Sequence, residues 1–302
     1  MSSAPEISPH FIDVENLFAS KNPGLVKVIP RFVFSWLKRI IHQEYINENI
    51  YKYREYTGLP FVEKILHEFG AILETEILTA DGRRTVATHD NLARILSPGS
   101  RWLIASNHPL GGLDGLALLH TVGKVRPDVV FPVNDLLMNL PGLKPLFIPI
   151  NKHGRNTENV ELIHQTFASD RVIIYFPAGL VSRKQKKGVI RDLEWKKTFI
   201  TQARRYQRNI LPVHVSGKNT NFFYNLANFR KRLGIKANIE MLWLPDEMMK
   251  QKGKVIRMTF GEPIPYTSFD ASRSDREWAQ WVKERVYSME DGRQNTEFMD
   301  GN

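Results

Sequence analysis

Residues 102 to 114, WLIASNHPLGGLD, constrain the fold more than any other stretch of this chain. Trp102 to Ala105 is an apolar run of the length of one buried strand. Ser106, Asn107 and His108 stand at its end, followed by Pro109 and the pair Gly111-Gly112. Asp114 closes the stretch, and Leu116 to His120 continue with helical apolar spacing. A strand, a glycine turn and a helix thus present a histidine and a carboxylate at the carboxyl end of a strand. Open α/β sheets bind their ligands there. His108 and Asp114 are near enough along the chain to share a hydrogen bond, which would fix the imidazole tautomer and leave the other ring nitrogen as a base. On its own such a pair is more often a polar turn, so its meaning depends on the company it keeps.

The rest of the chain alternates strands and helices. Residues 1 to 24 read as a poorly ordered or surface-wrapped start. Residues 25 to 42, LVKVIPRFVFSWLKRIIH, read as an amphipathic helix entered at Pro30, either lying in a membrane interface or docked on the protein's own core. Two more helices flank Gly58-Leu59-Pro60, Ile72 to Leu78 reads as a strand, and Asn91 to Ile95 as a short helix. Further strands are expected at Val129 to Val133, Phe147 to Lys152, Arg171 to Phe176, Ile210 to Val215 and Lys254 to Phe260. Helices are expected at Thr157 to Ser169, Glu194 to Gln207 and Trp278 to Val286, with a disordered tail from 289. The expected class is α/β: a central, largely parallel sheet flanked by helices, with a mainly helical N-terminal extension. The expected division is an extension over 1–90, an α/β domain over 91–270, and a C-terminal helix and tail over 271–302.

Composition narrows the function classes. The formal net charge of +10 favours anionic partners: nucleic acid, acidic proteins or anionic lipid. The chain has no cysteine, so disulfides, thiolate metal sites and a cysteine nucleophile are excluded. No apolar run approaches the roughly 18 residues of a membrane span, and the N-terminus lacks the basic start and apolar core of a secretory signal. Contact with a membrane would be peripheral.

Three strand ends carry chemistry: Asn107-His108 with Asp114, the loop beyond Ile150 with Lys152, and Phe176-Pro177-Ala178-Gly179 with Ser182-Arg183. A strand containing Leu211-Pro212-Val213 follows. In this order and spacing, over residues 100 to 220, the chain resembles the glycerolipid (lysophospholipid) acyltransferase family, whose blocks run NH-x4-D, F-I-x-R, FPEGTRS and a proline-containing strand. Two departures stand out. Five residues, not four, separate His108 from Asp114, and the Gly111-Gly112 pair is suited to absorb the extra one. In the third block Ala178 replaces the glutamate, and Leu180-Val181 replace Thr-Arg. That arginine is thought to hold the acceptor phosphate, so its replacement points away from a lysophosphatidate acceptor. The NHPxGGxDG and FPAGxxSR forms are closer to the PlsC-like hemolysin branch, which includes enzymes that O-acylate lyso-ornithine or lyso-glycine lipids.

The resemblance implies direct acyl transfer from an acyl thioester, carried by acyl carrier protein or coenzyme A, to a lysolipid hydroxyl. No bound cofactor or metal is implied. His108 would take the hydroxyl proton, with Asp114 orienting the ring and stabilising the imidazolium. Backbone N–H groups of the glycine loops would stabilise the oxyanion. Asn107, Gly111, Gly112, Lys152, Pro177, Gly179, Ser182 and Arg183 are the expected substrate-binding residues. A cytoplasmic enzyme, peripheral on the inner face of the membrane, is implied. The alternative within the family is a 1-acylglycerol-3-phosphate acyltransferase. Outside it stands a basic membrane- or nucleic-acid-binding protein without catalysis, although no nucleic-acid module is visible. A lipid serine hydrolase is weakened by the lack of a G-x-S-x-G elbow. His214, His164 and His120 read as packing or helix-face residues.

Overall fold

The computed structural model describes residues 11–21, 29–133, 137–149 and 157–291. Helices α1 (Val14–Lys21), α2 (Arg31–Ile40), α3 (Gln43–Lys52) and α4 (Leu59–Glu68) precede the first strand. Proline enters α2 as Pro30 and α4 as Pro60, where the missing N–H costs no intrahelical bond. Then come β1 (Ile72–Leu78), β2 (Arg84–Val86), α5 (His89–Ile95), β3 (Arg101–Ser106) and α6 (Gly112–Gly123). The short strands β4 (Phe131–Val133) and β5 (Phe147–Pro149) pair with each other. They are followed by α7 (Thr157–Ala168), β6 (Ile173–Tyr175) and the hairpin of β7 (Arg183–Lys184) and β8 (Ile190–Arg191). The chain continues through α8 (Thr198–Arg205), β9 (Arg208–Val215), α9 (Asn221–Arg232), α10 (Leu244–Met249), β10 (Val255–Phe260) and α11 (Asp275–Asp291).

The central sheet runs β2-β1-β10-β9-β3-β6. β3 pairs in parallel with β9 and β6, and β1 in parallel with β10. The β9–β10 and β1–β2 pairs are antiparallel. The α/β expectation, a largely parallel sheet between helices, describes this arrangement. β3 explains its own unbroken apolar sequence. Trp102 and Ile104 point to the face covered by α4 and α6, with Phe61, Val62, Leu113 and Ala117. Leu103 and Ala105 point to the opposite face, covered by α8 and α11, with Phe199, Ala203, Ala279 and Val282. A strand buried on both faces has no polar side to alternate with.

Several expectations need correction. β1 and β2, placed in the N-terminal extension, form one edge of the central sheet, and α4 contributes to the core under α6. A boundary at 90 therefore cuts through one core. Likewise α11, placed outside the domain, fills the core on the other face with Trp278, Ala279, Val282 and Val286. Its helix runs to 291, past the expected start of a disordered tail at 289. α8 begins at Thr198 rather than Glu194, because Asp192 and Trp195 are drawn inward from a loop before it. The stretch Phe147 to Lys152 is strand only to Pro149; Ile150 to Lys152 lies outside the described residues, as do 25–28.

Candidate active site

The site grows from the carboxyl end of β3. Asn107 carries the β3–β9 ladder one step further with its side chain: Nδ2 donates to the Val215 carbonyl at 2.8 Å, and Oδ1 accepts from the Val215 N–H at 2.7 Å. Both sides of this amide are spent on the fold. Asn107, expected to bind substrate, instead locks the strand end from which His108 leaves. Gly111 turns the chain into α6 at φ +83°, in the region that favours glycine. Asp114 then falls in the first turn of the helix, fully buried. Its carboxylate accepts from the Leu110 N–H at 2.9 Å and the Gly115 N–H at 2.8 Å. A carboxylate is favoured at this end of a helix. Both its oxygens lie close to His108 Nδ1, at 3.0 and 3.1 Å. The five-residue separation is therefore compatible with a direct His108–Asp114 contact.

The ring of His108 is held by two partners. Nδ1–H donates to Asp114, and Phe176 stacks on the ring at 4.1 Å between centroids and 17° between planes. The side chain keeps 18% of its exposure, and Nε2 makes no hydrogen bond to the described residues. Burial pushes the imidazole pKa down from 6.5, but the Asp114 charge and hydrogen bond, with the more distant Asp192 charge, outweigh burial and the opposing Arg183; the net shift is upward. The site thus stabilises an imidazolium while leaving one nitrogen open, which is what a general base needs.

The main chain of His108 is clamped by the Phe176–Arg183 loop. The Ser182 N–H donates to the His108 carbonyl at 2.8 Å. The His108 N–H donates to Asp192 Oδ1 at 3.2 Å, and the Ser182 hydroxyl donates to the same oxygen at 2.6 Å. Asp192 Oδ2 accepts from the Trp195 indole at 2.9 Å. The Asp192 N–H reaches the Tyr287 hydroxyl, and its carbonyl takes the Lys283 ammonium at 2.9 Å. Asp192 is a fully buried hub that sequence reasoning missed. Within VIRDLEW only Trp195 is a partner; the others come from Ser182 and, far away along the chain, from the His108 main chain and α11.

The other expected residues divide. Gly111 and Gly112 lie under α10, where a Cβ on either would come within 3.3 Å of Leu244 or Met248. Gly179 takes φ +65° in the turn, and the Pro177 carbonyl accepts from the Lys196 N–H at 3.1 Å. Ser182 faces Asp192 rather than a cleft. Arg183 is almost fully buried; its guanidinium donates to Glu240 at 2.8 Å and to the Val181 carbonyl at 2.7 Å, and Glu240 is shared with Arg230. The expected headgroup ligands Ser182 and Arg183 are thus already engaged within the protein. Lys152 lies outside the described residues. His214 is buried in β9 with Nε2 3.5 Å from Glu290, and His164 lies 2.6 Å from the Tyr206 hydroxyl, both in packing roles.

A family model described as Acyltransferase matches residues 16–295. The chain is 44% identical over 280 residues to the lyso-glycine lipid O-acyltransferase of Bacteroides thetaiotaomicron, covering 92% of this chain and 97% of that one. It is 44% identical, over 92% of its length and 95% of the relative's, to the enzyme of the same name from Phocaeicola vulgatus. Among solved structures, the 1-acyl-sn-glycerophosphate (LPA) acyltransferase PlsC from Thermotoga maritima matches with a TM-score of 0.44 and 15% identity, over 76% of this chain and 80% of that one.

Proposed function

Since the chain belongs to the acyltransferase family, we propose that it moves a fatty acyl group from a thioester donor to the hydroxyl of a lyso-aminolipid, with His108 as general base. The observation that carries this reading is the His108–Asp114 pair, with Nε2 left without a partner among the described residues. Nε2 takes the hydroxyl proton as the acceptor oxygen attacks the thioester carbonyl. The tetrahedral intermediate then expels the thiolate, which receives that proton from the imidazolium. The products are the ester and the free thiol. Asp114 holds the ring and balances its charge through the step. Backbone N–H groups in the glycine-containing loops are the candidate oxyanion donors.

Two observations favour an aminolipid over lysophosphatidate. Both full-length relatives are named for a lyso-glycine lipid. The arginine of the third block is replaced by Val181, and the neighbouring Arg183 is already paired with Glu240. The donor is a co-substrate on coenzyme A or acyl carrier protein; no bound cofactor is part of this reading. No helix among the described residues is long and apolar enough to cross a membrane. The lipid would be met at the cytoplasmic membrane surface, through α2. Its Phe34 and Leu37 face inward while Phe32 is 74% and Trp36 46% exposed, and Trp36 meets Trp243 edge to face.

The test is lipid mass spectrometry of cells carrying the intact chain or His108→Ala, supplied with lyso-aminolipid or, separately, lysophosphatidate. Diacylated aminolipid that requires His108 is the expected product. In a purified assay the alanine variant should lose about 10²–10⁴-fold in rate. Transfer near the wild-type rate would sink the base assignment. Phosphatidate as the product would keep the chemistry and change the acceptor.

A further inference from the structure

The β7–β8 hairpin is rooted at the site and leads away from it. Its first strand follows directly from Ser182 and its second runs directly into Asp192, the two residues that grip the His108 main chain. Gln185 closes its base through the Asp192 carbonyl at 2.8 Å. Between this hairpin and α9 lies a groove of about 770 Å³. Asn228 of α9 ties its walls together by donating to the Lys184 carbonyl.

The lining of the groove is strongly one-sided. Lys184 and Lys186 come from the hairpin, and Lys231 and Arg232 from α9. None of the four is in an ion pair among the described residues, and no carboxylate lines the groove among them. The remaining surface cation, Arg191, is paired with Glu284. Four uncompensated cations around one concavity repel one another, and that repulsion is relieved when an anion enters. The exposed Val189 and the half-buried Leu193 add aliphatic surface to the groove, but no aromatic side chain lines it among the described residues. The exposed aromatics of α9, Phe222 and Phe229, stand seven residues apart on a different side of the helix from Asn228 and Lys231. A lipid surface would meet the aromatics; the groove offers a concave, cationic lining.

We propose that this groove holds the phosphate-bearing end of the acyl donor, with its thioester arm running along the hairpin toward His108. This rests on the acyl-transfer reading above. Coenzyme A and acyl carrier protein share the chemistry the groove would recognise, since both present the acyl thiol on an arm that ends in phosphate. The second adds an acidic protein face, for which the exposed Lys186, Lys231 and Arg232 are available.

The experiment compares donors at a fixed acceptor concentration in the full-length chain. Acyl-coenzyme A, acylated carrier protein and S-acyl-pantetheine, which carries the arm without phosphate, are each titrated against wild type and the variant Lys186→Glu/Lys231→Glu/Arg232→Glu. A second variant, with glutamine at the same three positions, guards against misfolding caused by charge reversal. The expected result is that the preference for a phosphate-bearing donor over S-acyl-pantetheine falls at least about tenfold, through the donor KM, and that added salt weakens the wild-type preference in the same direction. A loss in both arms supports the shared phosphate; a loss confined to the carrier-protein arm overturns the phosphate assignment and leaves only the acidic protein face, since coenzyme A carries the same phosphate on its arm. An unchanged preference overturns the proposal. So does a change in acceptor KM alone, which would hand the groove to the lipid headgroup. If the wild-type chain transfers acyl groups from no donor, the functional reading fails. The groove is then judged by calorimetric binding of coenzyme A and of unacylated carrier protein to His108→Ala. Binding lost in the charge-reversed background sustains it, and equal or absent binding removes it.

Discussion

At the scale of single residues, the charge state of one imidazole governs the predictions. The His108 pKa is raised above its ordinary 6.5 because Asp114, aided by Asp192, outweighs burial. A base must be deprotonated, so the acidic limb of kcat/KM is expected above pH 6.5. Asp114→Asn removes the nearer negative charge and should move that limb downward while reducing kcat, as a pH–rate profile would show. The same shift acts on folding. A group whose pKa is raised in the folded state contributes stability that is fully present below its unfolded value and lost as pH rises through the folded value. Urea melts should therefore show a larger deficit for His108→Ala at pH 5.5 than at pH 9. Asp192→Asn offers one carbonyl oxygen where three donors now converge on two carboxylate oxygens. It is expected to cost about 1–3 kcal/mol of stability and also to lower the acidic limb. Unaltered melting and an unaltered profile would show that the hub is dispensable. His108 and Asp114 were legible because their spacing permits a shared bond and the other motif blocks follow them in order. Asn107, Ser182 and Arg183 were misread because a polar residue beside a motif looks the same whether it faces a substrate or the fold. Val215, Asp192 and Glu240, distant in sequence, decide which.

At the scale of elements, the turn into α6 sets the geometry of the pair. Gly111→Ala must hold φ +83° and bring its methyl to about 3.3 Å from Leu244. A loss of about 1–2 kcal/mol in a denaturant titration is expected. A fall in kcat should accompany it, because Asp114 sits on the turn that moves. The loop behind the site depends on a buried charge cluster instead. Glu240 is the one carboxylate shared by Arg183 and Arg230. Glu240→Gln would leave two buried guanidiniums facing an amide and should destabilise by about 3–5 kcal/mol. A melting temperature within a degree of wild type would contradict that account. The long apolar strands were readable from composition, since β3 and β9 are buried on both faces. β2 was not: its three residues, Arg84, Thr85 and Val86, carry no pattern, and only pairing with β1 makes them a strand.

At the scale of the molecule, the C-terminal helix belongs to the core, whereas α1 and α2 form a separate small cluster around Val14, Phe34 and Leu37. α11 returns from the C-terminal end to cover the sheet and to anchor Asp192 through Tyr287 and Lys283. Ending the chain at Ser274 would uncover Ile210, Phe199 and their neighbours, so loss of cooperative unfolding is expected, measured by near-ultraviolet circular dichroism. The exposed side of α2 makes the opposite prediction. Phe32→Ser with Trp36→Ser should leave melting nearly unchanged, because these side chains contribute little to the core, while reducing co-sedimentation with anionic vesicles. Equal vesicle binding would reject α2 as the lipid contact.

What the sequence determined by itself was local: the run of apolar residues that must be a buried strand, the glycines that must turn, and the His108–Asp114 spacing that permits one bond. These follow from chain geometry within a few residues. The tertiary structure alone decided where α11 packs, that Asp192 is a hub, and that Arg183 is spent on Glu240 rather than open to a headgroup. It also decided that four cations without an ion pair among the described residues, from two separate segments, line one groove. Each of these depends on residues tens of positions apart meeting across the fold, and the energy of a buried charge or polar group is set by that meeting rather than by its neighbours in the chain.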